Sequence, residues 1–231
     1  MGIKTTIKEL LNTKGMTTSL PLETELLEEL LCKTGIALSD SHKYFLAQSN
    51  GCEVFGGYFR LFSMEHILKR NEYSDWKFSW GKDLSNYYCF GETAWGDQYV
   101  YKKNEINEGL SNVYILDAYT MEEDFLSSSF DLFFVEEFLR NALHSYDEMI
   151  IEARKKIGNI TIKDSITYVP HIFISGREGV SDITKVASDK LLIINGDIYR
   201  QLADISVNHE VKEVVAYIDE MQRERIKVIF E

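Results

Sequence analysis

The stretch that decides the fold changes from a helical to an extended pattern, and it reads Leu38-Ser39-Asp40-Ser41-His42-Lys43-Tyr44-Phe45-Leu46-Ala47-Gln48-Ser49-Asn50-Gly51. Ser39 offers a hydroxyl group suited to capping a helix N-terminus. Asn50-Gly51 supplies the left-handed conformation with which helices often end. Residues 52–62 are aromatic and branched, with Gly56-Gly57 marking a turn or bulge, a pattern typical of two paired strands. The stretch therefore predicts a helix that leads directly into an antiparallel hairpin.

Apolar residues on both sides extend this pattern. Residues 3–13 and 22–33 carry apolar side chains at helical spacing. Downstream, residues 87–90, 98–101 and 113–116 favour strands, and Gly96-Asp97 favours a hairpin turn between the first two. An aromatic stripe that begins at Phe130 predicts a closing helix, which we expect to continue through Leu143 until Gly158 ends it. The fold class is α+β, with an antiparallel meander covered by the N-terminal helices and the closing helix.

The composition changes near residue 155, and we predict two parts, residues 1–155 and residues 156–231. The second part is predicted to be a small α+β extension. Its expected elements are buried strands over residues 168–174 and 191–194, a helix capped near Asp197, and a final hairpin. Residues 211–217 and 223–230 favour the two strands of that hairpin, with the turn at residues 219–222.

The negative charge is concentrated in one segment. Residues 1–150 contain 13 basic and 24 acidic residues, a net −11, whereas 12 basic and 13 acidic residues give −1 for the remainder. Residues 104–139 contain nine acids and no base. The negative electrostatic potential of such a segment repels phosphate backbones, so direct nucleic-acid binding is not expected. A basic protein partner is favoured, although acidic stretches also serve simply as solvated faces.

Metal, redox and membrane functions have little support in the sequence. Cys32, Cys52 and Cys89 are odd in number and widely spaced, which favours free thiols over disulfides or zinc sites. The five histidines are scattered, without a spacing that places two on one face. We expect no metal and no cofactor. No secretion signal or membrane-spanning run is recognised, so a cytoplasmic location without membrane contact is expected.

A catalytic interpretation would begin with the carboxylates of Glu92, Asp97 and Asp117, because paired acids can divide acid and base roles. Their spacing does not indicate that they converge, and Asp97 lies in a predicted turn where Asp is favoured for local hydrogen bonds. The serines at residues 127–129 lack the context of a nucleophile elbow. Residues 176–179 match neither a P-loop nor a dinucleotide fingerprint. We therefore expect no catalytic residues and no enzyme.

Residues 38–51 and the pieces that follow resemble the SUKH superfamily. In that family a short helix with a Phe-Leu pair ends in Asn-Gly, here Phe45-Leu46 and Asn50-Gly51. The later pieces follow in the family's order, and they are Gly56-Gly57, Leu61-Phe62-Ser63, Phe90-Gly91, Gly96-Asp97-Gln98-Tyr99-Val100-Tyr101, Ser129-Phe130, Phe133 and Phe138-Leu139. The resemblance covers roughly residues 20 to 145, and Ser39 stands where the family usually has proline.

This resemblance implies a binding protein. Bacterial members are immunity proteins that neutralise secreted toxins, many of them nucleases or deaminases, and fungal members are cell-wall regulators. The family brings no common catalytic residues. Residues 164–176, 184–186 and 191–193 are also similar to the C-terminal module of some type VI secretion immunity proteins, although Arg177 replaces that module's second glycine.

The resemblance and the charge together predict a partner surface. Trp95 and Tyr99 are the expected aromatic anchors, and the acids would meet basic groups of a cognate toxin. The predicted acids are Asp97, Asp117, Glu122, Glu123 and Asp124. A toxin-neutralising binder, a regulatory scaffold without a toxin partner and an enzyme all remain open, in that order of preference. The sequence does not specify the oligomeric state.

Overall fold

The computed structural model describes residues 7–9, 11–12, 14–143, 147–203 and 210–231. Its main feature is a seven-stranded antiparallel sheet in which every strand pairs with the next one along the chain. The strands are β1 (Met16–Thr18), β2 (Cys52–Val54), β3 (Phe59–Leu61), β4 (Tyr87–Thr93), β5 (Gln98–Lys102), β6 (Val113–Leu116) and β7 (Glu123–Ser127). The predicted α+β meander is confirmed. The edge strands β1 and β7 were not predicted.

Helices cover one face of this sheet. They are α1 (Thr24–Thr34), α2 (Asp40–Ser49), α3 (Met64–Arg70), α4 (Lys103–Asn107) and the closing helix α5, which comprises Phe130–Leu132, the π-helical Phe133–Leu139 and Arg140–Leu143. The predicted signals around α2 are confirmed, since the Ser39 hydroxyl accepts a hydrogen bond from the His42 amide and Asn50 is left-handed with φ 42°. Of the helix predicted over residues 3–13, residues 7–9 are helical. Residues 1–6, 10 and 13 lie outside the described chain.

The closing helix ends earlier than predicted. Asp147 has an extended backbone, and its carboxylate accepts hydrogen bonds from the amides of Met149 and Ile150. A new helix, α6 (Glu148–Ile157), begins there and ends at Gly158 as predicted. The prediction of a single helix from Phe130 to Gly158 was therefore wrong. The carboxylate of Asp147 caps the start of a separate helix.

The C-terminal part differs from two of its predicted elements. It contains β8 (Asp164–Tyr168), α7 (Ile172–Ser175), β9 (Ile183–Ala187), α8 (Ser188–Ala203), β10 (Val211–Ile218) and β11 (Glu224–Phe230). The strand predicted over 168–174 was wrong, since the strand ends at Tyr168 and the His171 side chain caps a helical turn after Pro170. The strand predicted over 191–194 was also wrong. This apolar run lies within α8, where Leu191 and Leu192 are buried.

The remaining predictions for this part have mixed outcomes. The β10–β11 hairpin is confirmed. Asp197 does not cap a helix, because it lies inside α8, where its carboxylate accepts hydrogen bonds from Arg225. The proposed boundary near residue 155 stays a prediction.

Two groups of buried side chains hold the layers together. The larger lies between the sheet and helices α1, α2 and α5, and it also includes Ile160, Ile166 and Ile183 of the C-terminal part. The smaller lies on the opposite face of the sheet, where Trp76 and Trp80 pack with Leu192 of α8. The C-terminal part therefore contributes to both cores, and the sheet is enclosed on both faces.

Three further observations bear on the expected functions. Cys32, Cys52 and Cys89 are free thiols, and only Cys32 is exposed. Within the described ranges, no set of three or more His, Cys, Asp and Glu side chains is arranged to hold a metal ion. A search of the same residues finds no helix with both the length and the apolar character needed to cross a bilayer.

Candidate functional site

A concentration of exposed acid lies on the β6–β7 hairpin. Asp117, Glu122, Glu123 and Asp124, which we call the acidic hairpin, are all exposed. The turn is built by Asp117, whose carboxylate accepts hydrogen bonds from the amides of Tyr119 and Thr120 and from the Thr120 hydroxyl at 2.8–2.9 Å. These hydrogen bonds shape the turn, and the β6–β7 pairing places Glu123 and Asp124 beside it. The four acids that the sequence predicted therefore lie on one hairpin.

The four acids differ in what they already bind. Glu123 accepts hydrogen bonds of 2.6 Å from both Tyr87 and Lys102. Desolvation alone would raise the pKa of Glu123, but these hydrogen bonds and the charge of Lys102 lower it. In the described part of the chain, no basic side chain lies within ion-pair distance of Glu122 or Asp124. These two carboxylates are thus available to an external cation.

The acidic hairpin is also an open sheet edge. The Asp117 amide donates to the Glu122 carbonyl at 3.0 Å, and bonding alternates along an antiparallel pair. The amides of Glu123 and Phe125 therefore point away from β6, toward an edge of the sheet that no described strand occupies. Phe125 is 58% exposed and packs edge-to-face against Tyr114. Phe125 was not among the binding residues predicted from the sequence, although an aromatic residue inside a run of acids is itself a signal of a binding surface.

A cleft lies on the face of β7 that carries Asp124. It has a volume of about 310 Å³ and lies between the sheet and helices α5 and α6. Asp124 stands opposite Ile115 in the β6–β7 pairing, and Ile115, Leu126 and Phe133 line the cleft. Glu137 adds an acidic group to its wall. The arrangement combines an apolar recess with adjacent carboxylates, which suits the aliphatic stem and charged end of a lysine or arginine.

The other predicted binding residues lie on the β4–β5 hairpin and are largely directed inward. Trp95 is half-buried and stacks on Tyr168 at 5.2 Å between ring centroids. The Asp97 carboxylate accepts hydrogen bonds from the Thr93 hydroxyl and the Ala118 amide, and desolvation raises its pKa. Tyr99 is only 5% exposed. These positions offer a partner little surface, and their binding role stays a prediction.

The carboxylates considered for catalysis are engaged in structural contacts. Glu92 is 1% exposed and lies between two arginines, 3.6 Å from Arg60 and 3.2 Å from Arg70. Asp97 joins the β4–β5 hairpin to Ala118, and Asp117 shapes the acidic hairpin. The three carboxylates have three different structural roles.

A second cleft, of about 470 Å³, lies between α3 and the C-terminal part. Its wall carries cationic and anionic groups in similar number, with Lys69, Arg70 and Lys163 near Glu65, Asp75 and Asp189. Such mixed charge gives no preference for a partner of one sign. Of these two regions, the acidic hairpin has the clearer electrostatic character.

The family model described as SMI1 / KNR4 family (SUKH-1) matches residues 21–136, which include α1, the sheet from β2 to β7 and the start of α5. The chain belongs to this family. The resemblance found in residues 38–51 is thereby confirmed, and the SUKH family includes immunity proteins. Both the acidic hairpin and the Asn50-Gly51 junction fall inside the matched SUKH region.

Two similar proteins extend this comparison. The SUKH chain is 31% identical over 116 residues to the uncharacterized protein YnaB of Bacillus subtilis (strain 168), and the match spans 49% of this chain and 74% of YnaB. Its structure is similar to the crystal structure of Atu4351 from Agrobacterium tumefaciens, with a TM-score of 0.55 over 94% of this chain and 95% of the other. At 10% identity, this second likeness shows the fold alone.

Proposed function

We propose that this SUKH protein is a non-enzymatic immunity protein that binds and neutralises a cognate secreted toxin, and that the acidic hairpin is the surface it uses. The observation that carries the proposal is the pair of exposed carboxylates of Glu122 and Asp124, which have no basic partner among the described residues and lie at the edge strand β7. The family to which the chain belongs includes immunity proteins. A toxin that acts on nucleic acid needs basic groups to hold phosphate. An acidic surface that covers those groups would block its substrate site.

The physical role of the acidic hairpin in this proposal is to speed encounter and to fix the position of the toxin. Charges at an open rim act mainly on the association rate, whereas buried apolar contacts control dissociation. Glu122 and Asp124 provide the attraction, and the cleft beside Asp124 provides apolar contact. Phe125 adds an apolar contact on the other face of β7. We place the encounter in the cytosol, which fractionation of cells carrying a tagged chain would test.

The first experiment is co-expression with the product of the gene beside this one, which the proposal takes as the toxin. We expect the wild-type chain to bind that toxin and to rescue cells from it. Failure to bind would contradict the immunity proposal and would favour the alternative, a regulatory scaffold whose partners are not toxins.

The second experiment tests the surface. Glu122→Gln combined with Asp124→Asn removes the two available charges, and we expect the association rate at low salt to fall by about tenfold. The wild-type rate should also fall as salt rises, because the screening length shortens to about 10 Å at 0.1 M. Stopped-flow mixing with the purified toxin measures both effects.

The matched control is Glu72→Gln combined with Glu178→Gln. These residues are also exposed acids, and the control carries the same net charge as the test variant. Its association rate should remain near that of the wild type. Equal loss in the two variants would mean that overall charge, and not the acidic hairpin, attracts the toxin.

A further inference from the structure

The strand β10 is a second open edge, far along the chain from the acidic hairpin. It pairs only with β11 among the described residues. The other side of β11 is held by α8, because the Ile226 amide donates to Asp197 and the Val228 amide donates to Gln201, each at 2.9 Å. The outer side of β10 therefore forms the open edge of this two-stranded sheet.

The backbone of β10 is suited to pairing with another strand. At the end of the hairpin the Asp219 amide donates to the Arg223 carbonyl at 3.0 Å. Since bonding alternates along an antiparallel pair, the backbone groups of Val215 and Tyr217 face β11. Those of Val214, Ala216 and Ile218 point outward. They form a row of hydrogen-bonding groups that a further strand would satisfy.

The side chains of β10 are unusually apolar for an edge. Val214 is 41% exposed, Tyr217 42% and Ile218 56%. Edge strands are ordinarily protected by charges, proline, a bulge or a covering element. Here the charged residues, Lys212 and Glu213, lie at one end beside a register shift, and the rest of the strand is open. A long apolar edge of this kind favours strand pairing.

The charge distribution indicates a second copy of the chain as the partner. Net charge in residues 1–150 is −11, but residues 151–231 carry only −1, from 12 basic and 13 acidic residues. At the hairpin turn Asp219 is paired with both Arg223 and Arg225. The segment that carries β10 is thus close to neutral, so two copies can pair through it with little electrostatic repulsion.

We propose that two copies of the chain associate through antiparallel pairing of their β10 strands, with Val215 on the two-fold axis. This register uses the outward backbone groups, placing Val214 of one copy opposite Ala216 of the other. It also keeps the register shift near Glu213 at the ends of the paired region and sets Glu213 opposite Tyr217 of the partner subunit. Within β10, no like charges oppose each other. The two hairpins then form one continuous four-stranded sheet.

The test is sedimentation of the purified full chain at concentrations up to about 100 µM, where association at micromolar affinity is populated. The wild type should sediment as a dimer, at twice the monomer mass of 26.8 kDa. Ala216→Pro removes an outward amide while leaving the bonds to β11, so this variant should be a monomer. Leu20→Lys alters an exposed apolar residue elsewhere and should remain a dimer.

A second pair of variants tests which residues of the two β10 strands lie opposite each other, without removing a backbone amide. Tyr217→Glu opposes Glu213 of the partner subunit with a like charge, whereas Tyr217→Lys opposes it with an opposite charge. We expect the dissociation constant of the Glu variant to be about tenfold higher than that of the Lys variant. Circular dichroism checks that all variants are folded.

A wild-type chain that remains monomeric at the highest concentration would overturn the proposal. It would equally be overturned by a dimer that persists in Ala216→Pro, or by equal dissociation constants for the two Tyr217 variants. The outcome is independent of whether the acidic hairpin binds a toxin.

Discussion

At the residue scale, His42 shows how an ordinary titratable side chain has become part of the core. Its ring is fully buried and stacks on Phe130 at 4.1 Å between centroids. The Nδ1 atom lies 2.9 Å from the Tyr101 hydroxyl. Burial lowers the pKa of His42 to about 3, because a charged imidazolium would lose its hydration there. The sequence identified His42 only as one of five scattered histidines.

This burial makes stability depend on pH. The unfolded chain takes up a proton at His42 near pH 6.5, whereas the folded chain does so near pH 3. Protonation therefore favours the unfolded state, and the contribution of His42 to stability is full above about pH 6.5 and falls as pH decreases toward 3. Burial similarly lowers the pKa of His171 to about 4. Both histidines therefore lower the unfolding free energy as the pH falls.

We expect His42→Phe to reduce the slope of unfolding free energy against pH by up to about 1.4 kcal/mol per pH unit between pH 4 and 6. Urea unfolding measured at several pH values in that range provides the slope. The control is Phe138→Leu, which alters a buried aromatic residue without removing a titratable group and should leave the slope unchanged. An unchanged slope in the His42 variant would show that this ring titrates normally in the folded chain.

At the element scale, the junction between α2 and β2 depends on Gly51. Its φ of 99° lies in the left-handed region. A Cβ atom at this position would meet the Ser63 amide nitrogen at 2.7 Å and the Leu61 carbonyl oxygen at 2.9 Å. Strand β3 and the start of α3 thus pack directly against the backbone of Gly51. Glycine is required here both for conformation and for space.

Gly51→Ala should therefore lower the unfolding free energy by about 3 kcal/mol, from backbone strain and overpacking together. Gly35→Ala is a matched control, because Gly35 is also left-handed, with φ 66°, but a Cβ atom there would meet nothing within 4 Å. Strain alone should cost the control about 1 kcal/mol. Urea unfolding compares the two variants, and equal losses would contradict the close-packing argument.

The elements also show where sequence patterns reach their limit. The start and the end of α2 were predictable because Ser39 and Asn50-Gly51 act locally. The apolar run at residues 191–194 was assigned to a strand, because a short apolar run has no periodicity that distinguishes a buried strand from one turn of a buried helix. The acids of the hairpin were correctly located as a charged segment. Their pairing as β7, and the exposure of Phe125, depend on the neighbouring strand β6.

At the scale of the whole molecule, Arg60 connects the sheet to the C-terminal part. Its side chain is fully buried, and Nη1 donates to the carbonyls of Thr161 and Asp164 at 2.8 and 2.7 Å. Glu92 lies 3.6 Å away and balances the charge. Residues more than a hundred positions apart in the chain are thereby joined through one guanidinium group.

We expect Arg60→Met to lower the unfolding free energy by about 3–5 kcal/mol, because it removes the donors of two carbonyls and weakens the compensation of Glu92. Adding Glu92→Gln removes the buried negative charge, and the double variant should be less destabilised than the sum of the two single variants. Urea unfolding of all four proteins gives the coupling. Strict additivity would show that Arg60 and Glu92 do not act as a pair.

The sequence by itself determined the features that rest on local chemistry. These are the helix start at Ser39, its end at Asn50-Gly51, the order of the hairpins that identifies the SUKH fold, and the concentration of acid in residues 104–139. Only the tertiary structure decided which polar groups are available. Among the described residues, neighbouring groups hold the carboxylates of Asp117 and Glu123 but not those of Glu122 and Asp124. Tyr99 is buried while Phe125 is exposed. The physical reason is that exposure and pairing depend on which strands and helices come together across long sequence distances, whereas capping and turn formation depend on adjacent residues.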